Sequence, residues 1–473
     1  MEARLFFEFL QVAIGNRESL SRELSDNEWQ DIFLLIKKHA LLGVGFTAVE
    51  RLHTKGIVCP AELRIKWYAL AVHIERRNRL LNGLCKKVTE QYEHDGFSTC
   101  ILKGQGNHLN YPDSLRKRRQ CGDIDIWCMP PKEGLDIAVQ TGRDSVEYVK
   151  YHGVKAVIEY VKMQHRICGS NKKPRPIYHH VDAPTIEGVE VEAHFRTGYI
   201  HSPLRNWRMQ RWFALHHEEC AANKTSYGFS MPTPSVNVIY QITHLFSHYF
   251  QEGVGLRQIL DMYYTLIAWR ESVENGYGKQ SQGMWSEGHG SAVMSPSQVM
   301  SVLRSFGMGK FAGAVMWVLN EVFGGANEND NENENENENG PRRETDGGPQ
   351  ADFVEESESS EFKRNLNGGP QADDGEEREL KRINRELKEN NFAPWMICEP
   401  NEKEGRRLME EIMKGGNFGQ YDTRDAALKK GGMVKHGVWK LKRVMRLVRS
   451  YPEEALWEPV FRVWHLICRL SHG

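Results

Sequence analysis

The chain has 473 residues, which is enough for two or three domains with hydrophobic cores of their own. Its formal net charge is -1 at pH 7, so no overall electrostatic field favours nucleic acid or a membrane surface as a partner. The nine cysteines are scattered, with neither Cys-x-x-Cys pairs nor a Cys/His cluster of zinc spacing, which favours free thiols in a reducing cytoplasm.

The first 95 residues are predicted to be helical. Apolar residues recur there at helical spacing, among them Leu5, Phe9 and Ala13. Ser25 and Glu28 have the spacing of a capping box and mark the start of a second helix. The N-terminal stretch lacks the apolar core of a signal peptide, and no apolar run approaches the roughly 20 residues that span a bilayer. We therefore expect a cytoplasmic protein without a membrane span.

A mixed α/β core is predicted to follow, and it begins with a turn suited to anions. Residues 97–102 have the pattern of a buried strand that ends at Lys103 and Gly104, and a short helix is predicted from Gln105 to Asn110. A glycine turn between a strand and a helix points backbone N–H groups at a bound anion, and Lys103 adds a positive charge.

Two aspartates lie close together in the segment Gly122–Trp127. Side chains alternate along a strand, so Asp123 and Asp125 project from one face while Ile124 and Ile126 face the core. Adjacent carboxylates repel unless a cation lies between them, and Mg²⁺ prefers oxygen ligands. On its own the pair fits a solvated strand edge about equally well. The neighbouring glycine turn shifts the balance towards a metal site.

A third carboxylate is predicted from a later strand. Residues 131–150 are expected to form a crossover helix, and residues 178–195 a hairpin that turns near Glu187-Gly188. Alternation along its second strand puts Glu192 and His194 on one face. The hairpin is thus expected to deliver Glu192 to the aspartate pair, as metal-assisted phosphoryl or nucleotidyl transfer requires.

The rest of the chain is predicted to be helical around one insert. Residues 326–392 combine Asn-Glu alternation with low hydrophobicity, which predicts disorder; a tolerated loop expansion is favoured over an acidic interaction tail. The basic, aromatic segment 427–473 fits either a helix that packs on the domain, which is favoured, or one that touches membrane or nucleic acid. His244 and His248 have metal-ligand spacing, but no Glu stands between them as in zincins, so core histidines are favoured.

These motifs together resemble the uncharacterised nucleotidyltransferases of the DNA polymerase β-like superfamily. The resemblance rests on Leu102-Lys103-Gly104, Arg119, Gly122-Asp123-Ile124-Asp125 and Glu192-Ala193-His194. It implies an α+β fold: a small mixed β-sheet nucleotidyltransferase core flanked by N- and C-terminal helical regions, with a long disordered insert. The implied organisation is an N-terminal helical region (1–95), a nucleotidyltransferase-like core (96–225), a helical domain (226–325), the disordered insert (326–392) and a C-terminal helical region (393–473).

The resemblance also implies an activity and the residues that carry it. Asp123, Asp125 and Glu192 would be the catalytic metal ligands, binding two Mg²⁺ ions about 3.5–4 Å apart. The expected reaction transfers a nucleoside monophosphate from an NTP to an acceptor hydroxyl on a small molecule, sugar or protein. The residues that would contact nucleotide or phosphate are Lys103, Gly104, Arg119 and His194.

Two other classes of function stay open at this stage. The first is a non-catalytic nucleotidyltransferase fold that binds a partner protein and regulates it, as an antitoxin does. The second is an unrelated metal-binding α+β protein. The near-neutral charge makes nucleic acid an unlikely partner in any of these cases.

Overall fold

The structure is a computed structural model that describes residues 3–141, 145–170, 174, 176–275, 293–324, 396–429 and 431–471. The predicted disordered insert at 326–392 lies outside the described residues. Among the helices of the described residues, none is both long and apolar enough to cross a membrane.

Four helices precede the sheet, as the periodicity of residues 1–95 predicts. They are α1 Ala3–Ile14, α2 Asp26–Lys38, α3 Leu42–Thr54 and α4 Ala61–His94. The capping box at the start of α2 is confirmed, because the Glu28 N–H donates to Ser25 Oγ at 3.4 Å and the Ser25 N–H donates to the Glu28 carboxylate at 3.0 Å. Such a cap satisfies two backbone donors that a helix N-terminus would otherwise leave unpaired.

The central sheet is small and mixed, which confirms the predicted α+β fold class. The strands are β1 Ser98–Leu102, β2 Ile124–Met129, β3 Leu135–Gln140, β4 Val146–Tyr151, β5 His180–Ile186 and β6 Val189–His194; helices α5 Lys103–His108 and α6 Asp113–Arg116 lie between β1 and β2. The strands of the central sheet run in the order β1-β2-β6-β5; β2 and β6 are parallel, and the outer pairs are antiparallel. Strands β3 and β4 form a separate antiparallel hairpin.

The prediction of a crossover helix over residues 131–150 is wrong. Strands β3 and β4 occupy that stretch, and the helix, α7 Gly153–Ile167, follows them. The apolar residues Leu135, Ile137 and Val139 recur with period two rather than with the period of a helix. A strand period across this stretch accounts for the hairpin.

The hairpin predicted to turn at Glu187-Gly188 is confirmed. Both residues have positive φ, 51° and 74°, as a two-residue type I′ turn requires. Farther from the turn, an irregularity between Ala183 and Ile186 shifts the register, so His180 lies opposite His194. One extra residue on a strand reverses the face of the sheet from which each side chain beyond it projects.

The C-terminal half is helical in the described residues. Its basic segment packs against the domain, as favoured: Trp439 and Val444 are buried, and Arg443 donates to the carbonyl oxygens of Tyr249 at 2.8 Å and Phe250 at 3.3 Å. The helices are α8 Pro203–Leu215, α9 His217–Ala222, α10 Pro234–Gln251, α11 Leu256–Asn275, α12 Pro296–Ser305, α13 Gly309–Phe323, α14 Glu402–Gly415, α15 Ala426–Lys429, α16 Met433–Leu447 and α17 Pro452–Ser471, with a 3₁₀ turn at Asn417–Gly419.

Helix α4 joins two hydrophobic cores. Its first half contributes Trp67 to the core that the N- and C-terminal helices share, and its second half contributes Val88 to the core between the sheet and α7. Midway, the buried Asn78 donates through Nδ2 to the carbonyl oxygens of Lys117 and Arg119, both at 2.7 Å. The loop that leads into β2 is therefore fixed to the middle of α4.

Candidate active site

Two of the predicted carboxylates lie side by side on the central strands. Asp125 of β2 is the direct register partner of Glu192 of the parallel strand β6. Asp125 is only 2% exposed. Because the pair lies between two further strands of a sheet, its spacing is set by the backbone rather than by flexible loops.

The third carboxylate, Asp123, lies just before β2 and lines a cavity of about 590 Å³ that Glu192 also lines. Lys103 and His194 contribute to the same wall. The cavity is large enough for a ligand the size of a nucleotide, since such sites are typically about 300–1,000 Å³.

The Lys103-Gly104 turn has the backbone that a glycine corner requires. Lys103 has a φ of 44°, and Gly104 has a φ of 33° with a ψ of -110°. An L side chain rarely adopts that conformation at Gly104. The turn lies against the aspartates, since a Cβ on Gly104 would be 3.4 Å from the carbonyl oxygen of Asp123.

Lys103 turns its ammonium group into the carboxylates. Its Nζ lies 2.7 Å from Asp125 Oδ1. Burial alone would lower the pKa of Lys103, but the charge of Asp125, reinforced by Glu192 and Asp123, outweighs it and raises the pKa. The side chain is therefore a permanent positive charge at neutral pH.

His194 completes the carboxylate cluster. Its Nε2 lies 2.9 Å from Asp125 Oδ1 and 3.1 Å from Glu192 Oε2. Burial would lower the pKa of His194, but its hydrogen bonds to the two carboxylates raise it. For the carboxyl group of Glu192 burial has the opposite effect and by itself would raise the pKa. The hydrogen bond from His194 and the charge of Lys103 outweigh burial and lower the pKa of Glu192 to about 2. Glu192 is thus ionised at neutral pH.

Two further histidines of the site were missed from the sequence. His179 and His180, at the start of β5, both line the cavity, and His180 Nδ1 lies 3.2 Å from Glu192 Oε2. The ring of His194 lies 5.3 Å from that of His179 and 5.0 Å from that of His180. The His-His pair next to a strand predicted to carry Glu192 was the available signal.

The opposite wall comes from helix α10 and the C-terminal segment. His244 and His248 of α10 line the cavity. The prediction that they are core histidines therefore describes only part of their surroundings. The His248 ring lies 4.9 Å from that of Phe418, and burial lowers the pKa of His248 to about 3. Trp439 contributes a large aromatic surface to this wall.

Arg119 does not join the phosphate-binding residues. Its Nε and Nη2 each donate to a carboxylate oxygen of Asp261 at 2.6 Å, and both side chains are almost fully buried. Arg119 is not among the residues that line the cavity. The guanidinium is therefore part of a buried ion pair with helix α11, outside the cavity.

The family described as "Uncharacterised nucleotidyltransferase" matches residues 25–275, which is more than half of the chain. The chain belongs to this family. No curated protein and no solved structure matches it. The matched part of this nucleotidyltransferase contains the glycine turn and the three carboxylates, whereas Phe418 and Trp439 lie beyond its end.

A divalent cation, which nucleotidyltransferases typically use, fits the residues present. Asp125, Glu192 and His194 each offer a ligand atom, and these atoms all lie within 4.8 Å of one another. Asp123 adds a carboxylate to the lining of the same cavity. The concentrated negative charge is balanced in the structure by the ammonium of Lys103, which marks this position as one that attracts cations.

Proposed function

We propose that this nucleotidyltransferase moves a nucleoside monophosphate from an NTP, such as ATP, to a hydroxyl group of a small molecule, a sugar or a protein. The observation that carries the proposal is the direct pairing of Asp125 with Glu192 on adjacent parallel strands, next to the Gly104 corner. Membership of the family supports the general reaction class.

In this proposal Asp123, Asp125 and Glu192 hold two divalent cations, with Mg²⁺ as the ion that suits oxygen ligands. Bound there, the cations would neutralise the triphosphate and lower the pKa of the acceptor hydroxyl. The protein's own contribution is to fix the carboxylates on strands, so that little reorganisation accompanies the reaction.

The glycine corner and Lys103 would bind the phosphates. Gly104 allows the backbone to approach an anion closely, because it has no side chain in the way. Lys103 is charged and lies within reach of Asp125, 2.7 Å away in the structure. Its ammonium would pair with the phosphate oxygens of a bound triphosphate.

Glu192 would accept the proton of the acceptor hydroxyl, because it is ionised at neutral pH. His194 would hold Glu192 in position through the contact at 3.1 Å between its Nε2 and Glu192 Oε2. Phe418, which lines the cavity and is partly exposed, offers an aromatic face on which a base or an aromatic acceptor would stack.

The test is transfer itself. The full chain is incubated with isotope-labelled NTPs, Mg²⁺ and a cell extract, and products are searched by mass spectrometry for an added nucleotide. Asp125→Asn and Glu192→Gln should each reduce transfer by at least about a hundredfold, since each removes a charge that is fixed in the buried site. Circular dichroism should show the same fold.

Glu190→Gln is the matched control. Glu190 lies on the same strand as Glu192 but is exposed, so its replacement should leave transfer unchanged. Equal activity in the Asp125→Asn variant would remove the assignment. NTP binding without transfer under any acceptor condition would instead favour the non-catalytic class of nucleotidyltransferase fold.

A further inference from the structure

The hydrogen-bonding pattern around His194 leaves one ring nitrogen facing two acceptors. His194 Nδ1 lies 3.2 Å from the carbonyl oxygen of Arg196, which can only accept, so Nδ1 carries a hydrogen. In the neutral ring Nε2 is then an acceptor, and it faces Asp125 Oδ1 and Glu192 Oε2 at 2.9 and 3.1 Å. The Lys103 ammonium lies 2.7 Å from the same Asp125 oxygen. A cluster of acceptors like this one is stabilised by a proton on Nε2 or by a metal ion bound at that point.

A second imidazole lies beside Glu192 on the next strand. His180 is the register partner of His194, and its Nδ1 lies 3.2 Å from Glu192 Oε2. The ligand atoms of Asp125, Glu192 and His194 all lie within 4.8 Å of one another, and His180 does not belong to that group of three. One nitrogen and two carboxylates therefore converge, with His180 as a neighbour.

We propose that the group of Asp125, Glu192 and His194 is a mixed nitrogen–oxygen metal site that binds a transition-metal ion of the Mn²⁺, Co²⁺ or Zn²⁺ class more tightly than Mg²⁺, through the two carboxylates and His194 Nε2. Imidazole nitrogen suits these borderline ions, whereas Mg²⁺ strongly prefers oxygen and holds on to its waters. The inference refines the proposed function by naming the class of one of its two cations.

The surroundings of His194 match those of a metal-bound histidine. Such histidines usually donate their second ring N–H to a carbonyl or carboxylate, which fixes the tautomer and the ring orientation. The contact from His194 Nδ1 to the Arg196 carbonyl supplies that partner. Asp123 lines the cavity but does not belong to this group of ligands. It would therefore bind a second ion that is coordinated by oxygen atoms and accompanies the triphosphate.

The experiment measures metal binding directly on the full chain. Calorimetric titrations compare Mn²⁺ with Mg²⁺, and pulsed electron paramagnetic resonance on the Mn²⁺-loaded protein detects coupling to ¹⁴N. We expect Mn²⁺ to bind at least about tenfold more tightly than Mg²⁺, with ¹⁴N coupling from coordinated imidazole. His194→Gln should weaken Mn²⁺ binding by about tenfold or more and remove the ¹⁴N coupling. His73→Ala, an exposed histidine on α4, should bind Mn²⁺ like the wild type.

The results separate this inference from the proposed function. Absence of ¹⁴N coupling, or Mn²⁺ binding that His194→Gln does not weaken, would overturn the mixed site even if nucleotidyl transfer with Mg²⁺ is observed. Coupling that His194→Gln removes would support the site even if no transfer is found. If His194→Gln fails to fold by circular dichroism, the ¹⁴N measurement and the comparison of Mn²⁺ with Mg²⁺ on the unaltered chain still decide the question.

Discussion

Breaking the buried Arg119–Asp261 pair should destabilise the fold rather than weaken nucleotide binding. Asp261 accepts from Arg119 Nε and Nη2 at 2.6 Å each and from Tyr111 Oη at 2.7 Å. The side chains of the pair are 3% and 5% exposed, so water cannot replace a lost partner. Asp261→Leu leaves a buried guanidinium without its counter-charge, which should lower the free energy of unfolding by about 3–5 kcal/mol. Arg119→Met should be similarly damaging.

The double variant Arg119→Met/Asp261→Leu provides the decisive comparison. Because an apolar pair of similar volume removes both charges, its loss of stability should be smaller than the sum of the single losses by about 2–3 kcal/mol. Urea unfolding followed by circular dichroism measures each free energy. Lys55→Met, which breaks an exposed ion pair with Glu18, should change the free energy of unfolding far less than either buried variant, because water screens exposed charges. An Arg119→Met protein of normal stability whose KM for NTP is raised would refute the structural role and restore Arg119 as a phosphate contact.

Three further predictions concern the glycine corner, a buried histidine and the C-terminal helix. Gly104→Ala should destabilise the protein by about 1–3 kcal/mol in urea unfolding because of its φ of 33°, whereas Gly83→Ala on α4 should be neutral or slightly stabilising; equal effects would contradict the strained turn. Burial lowers the pKa of His39 to about 3, so below pH 6.5 the unfolded chain binds a proton that the folded chain does not. The free energy of unfolding should therefore fall by about 1.4 kcal/mol per pH unit between pH 6 and 4 from this residue, and a His39→Gln profile parallel to the wild type would argue against it. Arg443→Met removes two hydrogen bonds to α10, so hydrogen exchange of α16 should accelerate; unchanged protection would mean that other contacts hold the helix.

Strand alternation was sufficient to predict the face of its own strand on which each of Asp125 and Glu192 lies. The period of two places side chains on a face without any knowledge of tertiary structure, and the glycine in Glu187-Gly188 marks the turn that returns the chain. Both predictions depend on local sequence alone. The parallel pairing of β2 with β6 that places the two residues side by side joins strands that are far apart in sequence.

Register and long-range pairing could not be predicted from local sequence. Counting back from the turn at Glu187-Gly188 would place Val181 opposite His194, but the irregularity between Ala183 and Ile186 puts His180 there instead. The role of Arg119 was equally hidden, because its partner Asp261 lies 142 residues away in sequence. Neither a one-residue shift nor a distant carboxylate leaves a local signature.

The hydrogen bonds of Asn78 make the position of the carboxylates depend on helix α4 as well as on their own strands. Helix α4 has 34 residues and is about 51 Å long, and Asn78 at its midpoint binds the loop that leads into β2. A change that tilts this helix at its distant end would shift Asp123 relative to Glu192 while every acidic residue stays in place. Substitutions along α4 would therefore alter the geometry of the carboxylates without changing any acidic residue.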